Sequence, residues 1–258
     1  MASIGSLEIR GLTKRFAQQN AELSVLEDID ITVDPGSFVS IVGPSGCGKS
    51  TLLKLIVGLD AQYSGEILLD GEAIRGPNIR RGLVFQDHRL LPWLTIEENV
   101  GFGLNRKPRA DRQRIVREHM ALVGLTGFEK SYPYQLSGGM AQRAAIARAL
   151  ASRPEILLLD EPLGALDALT RIYLQLELEK IWKVEGITMV MVTHDIDEAI
   201  FLSDTILVMS NRPGKITKRI QVPIPRPRDR ASFDFVSVKA AVLKEFHLDV
   251  DYPVTYAI

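Results

Sequence analysis

The chain has 258 residues, 46% hydrophobic and 24% charged, which is enough to bury a full core in one or two domains and too apolar for disorder. Lys and Arg number 31 against 32 Asp and Glu, and the net charge of -1 gives no electrostatic case for a dedicated nucleic-acid binder. The single cysteine, Cys47, excludes an internal disulfide, and no apolar run approaches the roughly 18 residues of a membrane-spanning helix, so at a membrane another chain must do the spanning. The opening MASIGSLEIR lacks the basic and apolar regions of a secretory signal, and the cytoplasmic side is the expected compartment.

In chain order, Leu7 to Arg10, Ile29 to Val33, Phe38 to Val42 and Glu66 to Leu69 read as strands separated by turns such as Asp34-Pro35-Gly36. After Gln86 the texture changes. Thr95 to Val100 and Arg112 to Val123 carry helical spacing, the second with Ile115, Val116, His119, Leu122 and Val123 on one face. From Glu155 apolar strands alternate with helices: Ile156 to Leu159, a helix marked by Leu169, Ile172, Tyr173 and Leu176, then Ile187 to Val192 and Thr205 to Met209. Such alternation predicts a largely parallel sheet covered by helices. Val222 to Arg230 is too rich in proline for regular structure, and Phe233, Val236, Val238, Val242, Leu243 and Phe246 mark a closing helix.

Gly43-Pro44-Ser45-Gly46-Cys47-Gly48-Lys49-Ser50-Thr51 fits G-x-x-x-x-G-K-[ST] between the strand Phe38 to Val42 and the helix-like Leu52 to Gly58. Glycines there let backbone N–H groups close around phosphate oxygens, and the helix end adds its positive dipole. Lys49 is placed to reach the β- and γ-phosphates of ATP and Ser50 to ligate Mg²⁺. Cys47 has no histidine near it in sequence and is read as a tolerated loop position. A second signal is Ile156 to Glu161, an apolar strand ending in two carboxylates. Asp160 can hold Mg²⁺ through its water shell, and Glu161 can polarise the attacking water. Adjacent carboxylates at a buried strand end are costly unless a metal or partner compensates.

Leu136-Ser137-Gly138-Gly139-Met140 then puts a serine N-cap and two glycines at the start of the alanine-rich Ala141 to Leu150, a second phosphate-binding helix end. With the P-loop before it and ILLLDE after it, this segment resembles the LSGGQ signature of the ATP-binding cassette (ABC) family, and the resemblance spans roughly residues 7 to 220. Met140 replaces the usual glutamine and leaves the serine and glycines intact. The resemblance implies an α/β P-loop NTPase fold with a mixed RecA-like sheet core, an antiparallel β subdomain and an inserted helical subdomain. It places the nucleotide-binding domain at 5–220 with the insertion at about 87–152, followed by a proline-rich segment and C-terminal helix at 221–258.

Further roles follow from the resemblance alone. Phe16 matches the aromatic position on which adenine stacks, with a core phenylalanine as the alternative. Gln86 matches the glutamine loop that senses Mg²⁺ and water and faces the membrane partner, and Asp167 closes the segment Gly164 to Asp167 through which one subunit feels the other's site. His194 matches the switch histidine at the γ-phosphate; His88, His119 and His247 match nothing catalytic and are read as surface or packing residues. The implied partners are a second cassette, whose Ser137 to Gly139 helix closes over the ATP held here, an integral membrane permease and, indirectly, a solute-binding protein. Arg89 to Leu94 is the expected docking face, with Trp93 either an exposed anchor or a core residue.

The combination of Gln86 to Trp93, Glu161 to Arg171, Asn211 to Ile216 and Pro223 to Arg230 is similar to the nitrate, sulfonate and taurine importer branch. Alternatives are an importer ATPase for another small organic solute, or an ABC ATPase acting on nucleic acid. The latter is disfavoured by the short interval between P-loop and signature, which has no room for a long coiled coil, and by the lone cysteine, which rules out a zinc insertion. No guanine-reading NKxD motif supports a GTPase.

Overall fold

A computed structural model describes residues 5–18 and 21–246; His247 lies outside them. Six strands form one sheet in the order β10-β9-β3-β8-β7-β6: β3 (Phe38–Val42), β6 (Arg81–Val84), β7 (Ile156–Asp160), β8 (Thr188–Thr193), β9 (Thr205–Met209) and β10 (Ile216–Gln221). β10 runs antiparallel and the other five are parallel. β3, β8 and β9 are buried along their whole length, the continuous apolar pattern of strands covered on both faces.

Alternate residues of these strands enter two cores. Val39, Ile41, Ile156, Leu158, Val190 and Val192 point to one side, where they meet α1 (Lys49–Val57) and a second, antiparallel sheet. That sheet has the order β2-β1-β4-β5, from β1 (Leu7–Gln18), β2 (Ala21–Val33), β4 (Ser64–Leu69) and β5 (Glu72–Ala73). Phe38, Val42, Leu157, Leu159, Met189 and Met191 point to the other side, into a core completed by helices. Those helices include α2 (Ile96–Val100), α3 (Arg109–Leu122) and α4 (Gly138–Ala151), which lie between β6 and β7, then α5 (Ala168–Glu185), α6 (Ile196–Leu202) and α7 (Phe233–Glu245). The result is the mixed-sheet α/β fold that the sequence predicts.

Two helices differ from their sequence reading. α5 forms over Leu169, Ile172, Tyr173 and Leu176, yet these four are exposed; Leu174, Leu178 and Ile181 face the core instead, joined by Gln175 and Glu179. In α7, Phe233 and Val236 are exposed while Phe235 and Val242 are buried. The helix expected at each place forms; in α7 Val242 of the marking residues is buried and Val238 and Phe246 pack against the core, whereas in α5 all four marking residues are outside, because polar side chains share the buried face and the exposed one carries as many apolar residues. The proline-rich stretch after β10 has no helix or strand, but it is anchored: Arg228 is buried and donates to the carbonyls of Ile200, Phe201 and Ser203 around the end of α6.

Candidate functional site

Because β3, β7 and β8 are parallel, their carboxyl ends reach the same edge of the sheet, and the loops that leave them converge. From β3 the chain enters the loop 43–48, where Gly46 and Gly48 adopt φ of 78° and 110°. A side chain at position 48 would also press within 2.7 Å of Leu26 Cδ2, so only glycine fits both the turn and the space. Helix α1 starts from this loop with no side-chain cap, which leaves its first N–H groups available to an anion. Lys49 is buried, and its Nζ donates to the carbonyls of Gly43 at 2.7 Å and Pro44 at 3.0 Å.

Ser50 Oγ donates to Asp160 Oδ1 at 2.8 Å. Burial raises the Asp160 carboxyl above the usual range; the Ser50 hydrogen bond offsets part of this and neighbouring Glu161 adds to it. A desolvated carboxylate beside a hydroxyl is an all-oxygen donor set, which suits a hard cation such as Mg²⁺. Glu161 follows with φ of 44°, in the left-handed region, and its N–H donates to Val192 O at 2.9 Å. This turn brings Glu161 Oε2 to 3.0 Å from His194 Nδ1 at the end of β8. Gln86, exposed beyond β6, is close by: a Cβ at Gly164 would sit 3.6 Å from Gln86 Nε2 and 3.7 Å from Glu161 Oε2.

Phe16, Leu23 and Val25 of the antiparallel sheet, Ser45 to Gly46, Gly48 to Thr51 and Glu161 enclose a cleft of about 390 Å³. Phe16 is 40% exposed and stands in its wall, not in a core. Arg212 also lines this cleft and donates through Nε and Nη2 to Gly46 O. The sequence reading gave it no role; the available signal was the Asn211 to Ile216 motif leaving β9, the strand parallel and adjacent to β3. A larger cavity of about 630 Å³ adjoins Pro44 and His194 and reaches Phe246, but Lys49, Ser50 and Glu161 do not line it. Behind His194, Thr193 Oγ1 donates to Glu198 at 2.7 Å, and burial pushes the Glu198 carboxyl up to about 7.

The remaining sequence candidates lie elsewhere. Ser137 and Gly139 line a separate cleft of about 490 Å³ with Thr170 and Tyr173. Ser137 caps α4 by accepting from Met140 N at 3.3 Å, and a Cβ at Gly139 would meet Thr170 Cγ2 at 2.7 Å. Asp167 caps α5, accepting from Thr170 N at 3.0 Å, and hydrogen bonds from Thr170 hold its carboxyl below the usual range. Trp93 is 70% exposed, so it is not a core residue. His119 is buried and His88 half-buried, both packing residues.

Residues 26–164 match the ABC transporter family. The chain is 51% identical over 241 residues to the aliphatic sulfonates import ATP-binding protein SsuB of Bacillus cereus, covering 93% of this chain and 96% of that one. It is also 51% identical over 214 residues to the bicarbonate transport ATP-binding protein CmpC of Synechococcus elongatus, covering 81% of this chain and 32% of that longer protein. A dimeric ATP-binding cassette solved in a post-hydrolysis state with ADP and Pi superposes with a TM-score of 0.74 at 34% identity, over 84% of this chain and 98% of that one.

Proposed function

The chain belongs to the ABC transporter family and is an ATPase, and from that premise we propose that it powers an importer of a small anion, either an aliphatic sulfonate such as taurine, or nitrate. The observation that carries the site assignment is the convergence of Ser50–Asp160 at 2.8 Å and Glu161–His194 at 3.0 Å beside an uncapped P-loop helix. In this reading the backbone of residues 43–51 and Lys49 hold the ATP phosphates, and Phe16 takes the adenine. Ser50, Asp160 and Gln86 hold Mg²⁺, which supplies charge neutralisation at the phosphates. Glu161 takes the proton of the attacking water, and His194 orients that carboxylate and contacts the γ-phosphate. The Ser137 to Gly139 end of α4 completes the site of a second cassette, and Asp167 lies on the segment that links the two sites.

No helix among the described residues is long and apolar enough to cross a membrane. We assign the chain to the cytoplasmic face of a permease, docked through Arg89 to Leu94 with the exposed Trp93 as anchor, and fed by a solute-binding protein. The replacement Glu161→Gln tests the chemistry: it is expected to bind MgATP, accumulate as a dimer and lose at least about 100-fold in turnover. Rapid hydrolysis by that variant would remove Glu161 from the base role. The cargo is tested by reconstituting permease, chain and binding protein and measuring ATPase stimulation by taurine, alkanesulfonates and nitrate. Bicarbonate belongs in the same panel because of the 51% identity to a bicarbonate transport protein, and stimulation by bicarbonate alone would replace the sulfonate assignment.

A further inference from the structure

Lys14 lies two positions before Phe16 on β1, and it is 1% exposed. Its ammonium has three donors, and the structure accounts for three directions. Nζ lies 2.7 Å from Asp60 Oδ2, donates to Gln62 O at 2.6 Å and sits 4.6 Å from the centroid of the Phe16 ring. Asp60 comes two residues after Gly58, the residue that ends α1, and it also accepts from Gln62 N at 2.9 Å. Burial works against the Asp60 carboxylate, and the hydrogen bonds from Lys14 and Gln62 outweigh it, so its pKa lies below the usual range.

The consequence is geometric. One end of α1 carries Lys49 and Ser50 in the phosphate cleft; the other end is tied through Asp60 and Lys14 to the strand that carries Phe16, which lines the same cleft. Burying a lysine is costlier than burying a methionine of similar length, and here the charge is spent on a ring face and a carboxylate that belong to different elements. A cation beneath the ring also draws π density from it, which favours stacking by an electron-rich base on the open face.

We propose that Lys14, held by Asp60, is a positioning residue that fixes the Phe16 ring at a set distance from the P-loop and so makes the cleft select a purine nucleoside triphosphate over a bare polyphosphate. This rests on the adenine-stacking role given to Phe16 above. The test compares binding of MgATP and of magnesium tripolyphosphate, which has no base, to the full chain by calorimetry. Phe16→Ala is expected to weaken ATP about tenfold and leave tripolyphosphate unchanged. Lys14→Met should weaken ATP about fivefold with the same indifference to tripolyphosphate, and Lys14→Arg, which keeps the cation, should restore most of the loss. Asp60→Asn, at a partly exposed side chain, gives a second route should Lys14→Met fail to fold, with a loss of about two- to threefold in ATP affinity alone. If Phe16→Ala leaves ATP binding intact, the stacking role is wrong and the inference falls with it. If Phe16→Ala weakens ATP while the Lys14 and Asp60 variants do not, the inference alone is overturned. Equal loss of ATP and tripolyphosphate in Lys14→Met would also overturn it, because the pair would then serve only the fold.

Discussion

The two glycine-bearing helix ends of this chain make an instructive pair. Helix α1 opens from glycines in left-handed conformations, has no side-chain cap, and is ringed by Lys49, Ser50, Asp160 and Glu161. Helix α4 opens from an exposed Ser137 that caps it, into a cleft whose named neighbours are Thr170 and Tyr173. Both ends offer N–H dipoles to an anion, and Arg143, Glu177 and Lys180 line the α4 cleft, but at α1 the lysine is buried and the hydroxyl of the first turn is hydrogen-bonded to a carboxylate at the end of β7. The α4 end lies outside the P-loop cleft, and in the proposed dimer it would meet the nucleotide held by a second cassette. The difference shows that a phosphate-binding motif is defined by what the fold brings to it as much as by its own residues.

The comparison breaks most sharply at Lys49. Lys49→Ala should reduce ATP hydrolysis by about 10³-fold, because a positioned cation at the phosphates is lost, and nucleotide titration should show weakened binding to the isolated chain. If the isolated chain binds and hydrolyses ATP normally, α1 is not the end that holds the nucleotide.

A stability measurement sharpens the same contrast, since the α1 cleft is backed by the buried Glu198 on α6. Burial raises that carboxyl from 4.5 to about 7, with the Thr193 hydroxyl opposing and Asp195 adding to the rise. The folded chain therefore holds this proton more firmly than the unfolded chain does. The associated stability is fully present below 4.5 and is lost as pH rises through about 7. Glu198→Gln stays neutral, so relative to the parent it should gain on the order of 2–3 kcal/mol between about pH 5 and pH 8 in denaturant unfolding. Parallel pH profiles for the two proteins would show that Glu198 ionises normally.

The smallest effect belongs to α4. Ser137→Ala removes a cap worth about 1 kcal/mol, so the unfolding midpoint should fall slightly. ATP affinity of the isolated chain should not change, while turnover of the assembled transporter drops about tenfold, as expected for one lost hydrogen-bond donor to phosphate. Weakened ATP binding by the isolated variant would mean that both helix ends serve one nucleotide in the same chain, and the contrast would collapse.

Much of this was legible in the residues. The motifs 43–51, 156–161 and 136–140 carry their spacing in sequence because each is a strand-to-loop or loop-to-helix junction whose glycines, caps and charges are local requirements. The strands β3, β7, β8 and β9 and the helices α2 and α3 followed from apolar runs and periodicity, and α4 from its serine cap and glycines, whereas the partly exposed β6 and β10 were not read as strands. The buried face of α5 did not follow from periodicity, because Leu169, Ile172 and Tyr173 repeat as a core face does and only contact with neighbours distinguishes the two sides. Arg212 and Lys14 escaped for a related reason: each acts on Gly46 or Asp60, far along the chain, and no local pattern announces such a pair.

By itself, then, the sequence determined most of the central strands and helices, the phosphate-binding loop and the pair of strand-end carboxylates, since these depend on residues that are neighbours in the chain. Tertiary structure alone decided that Glu161 meets His194, that Ser137 stands outside the P-loop cleft, and that a buried lysine lies beneath Phe16. Those relations arise from parallel strands ending at one edge and from two sheets sharing one core, and distance across a sheet is not encoded in distance along a chain.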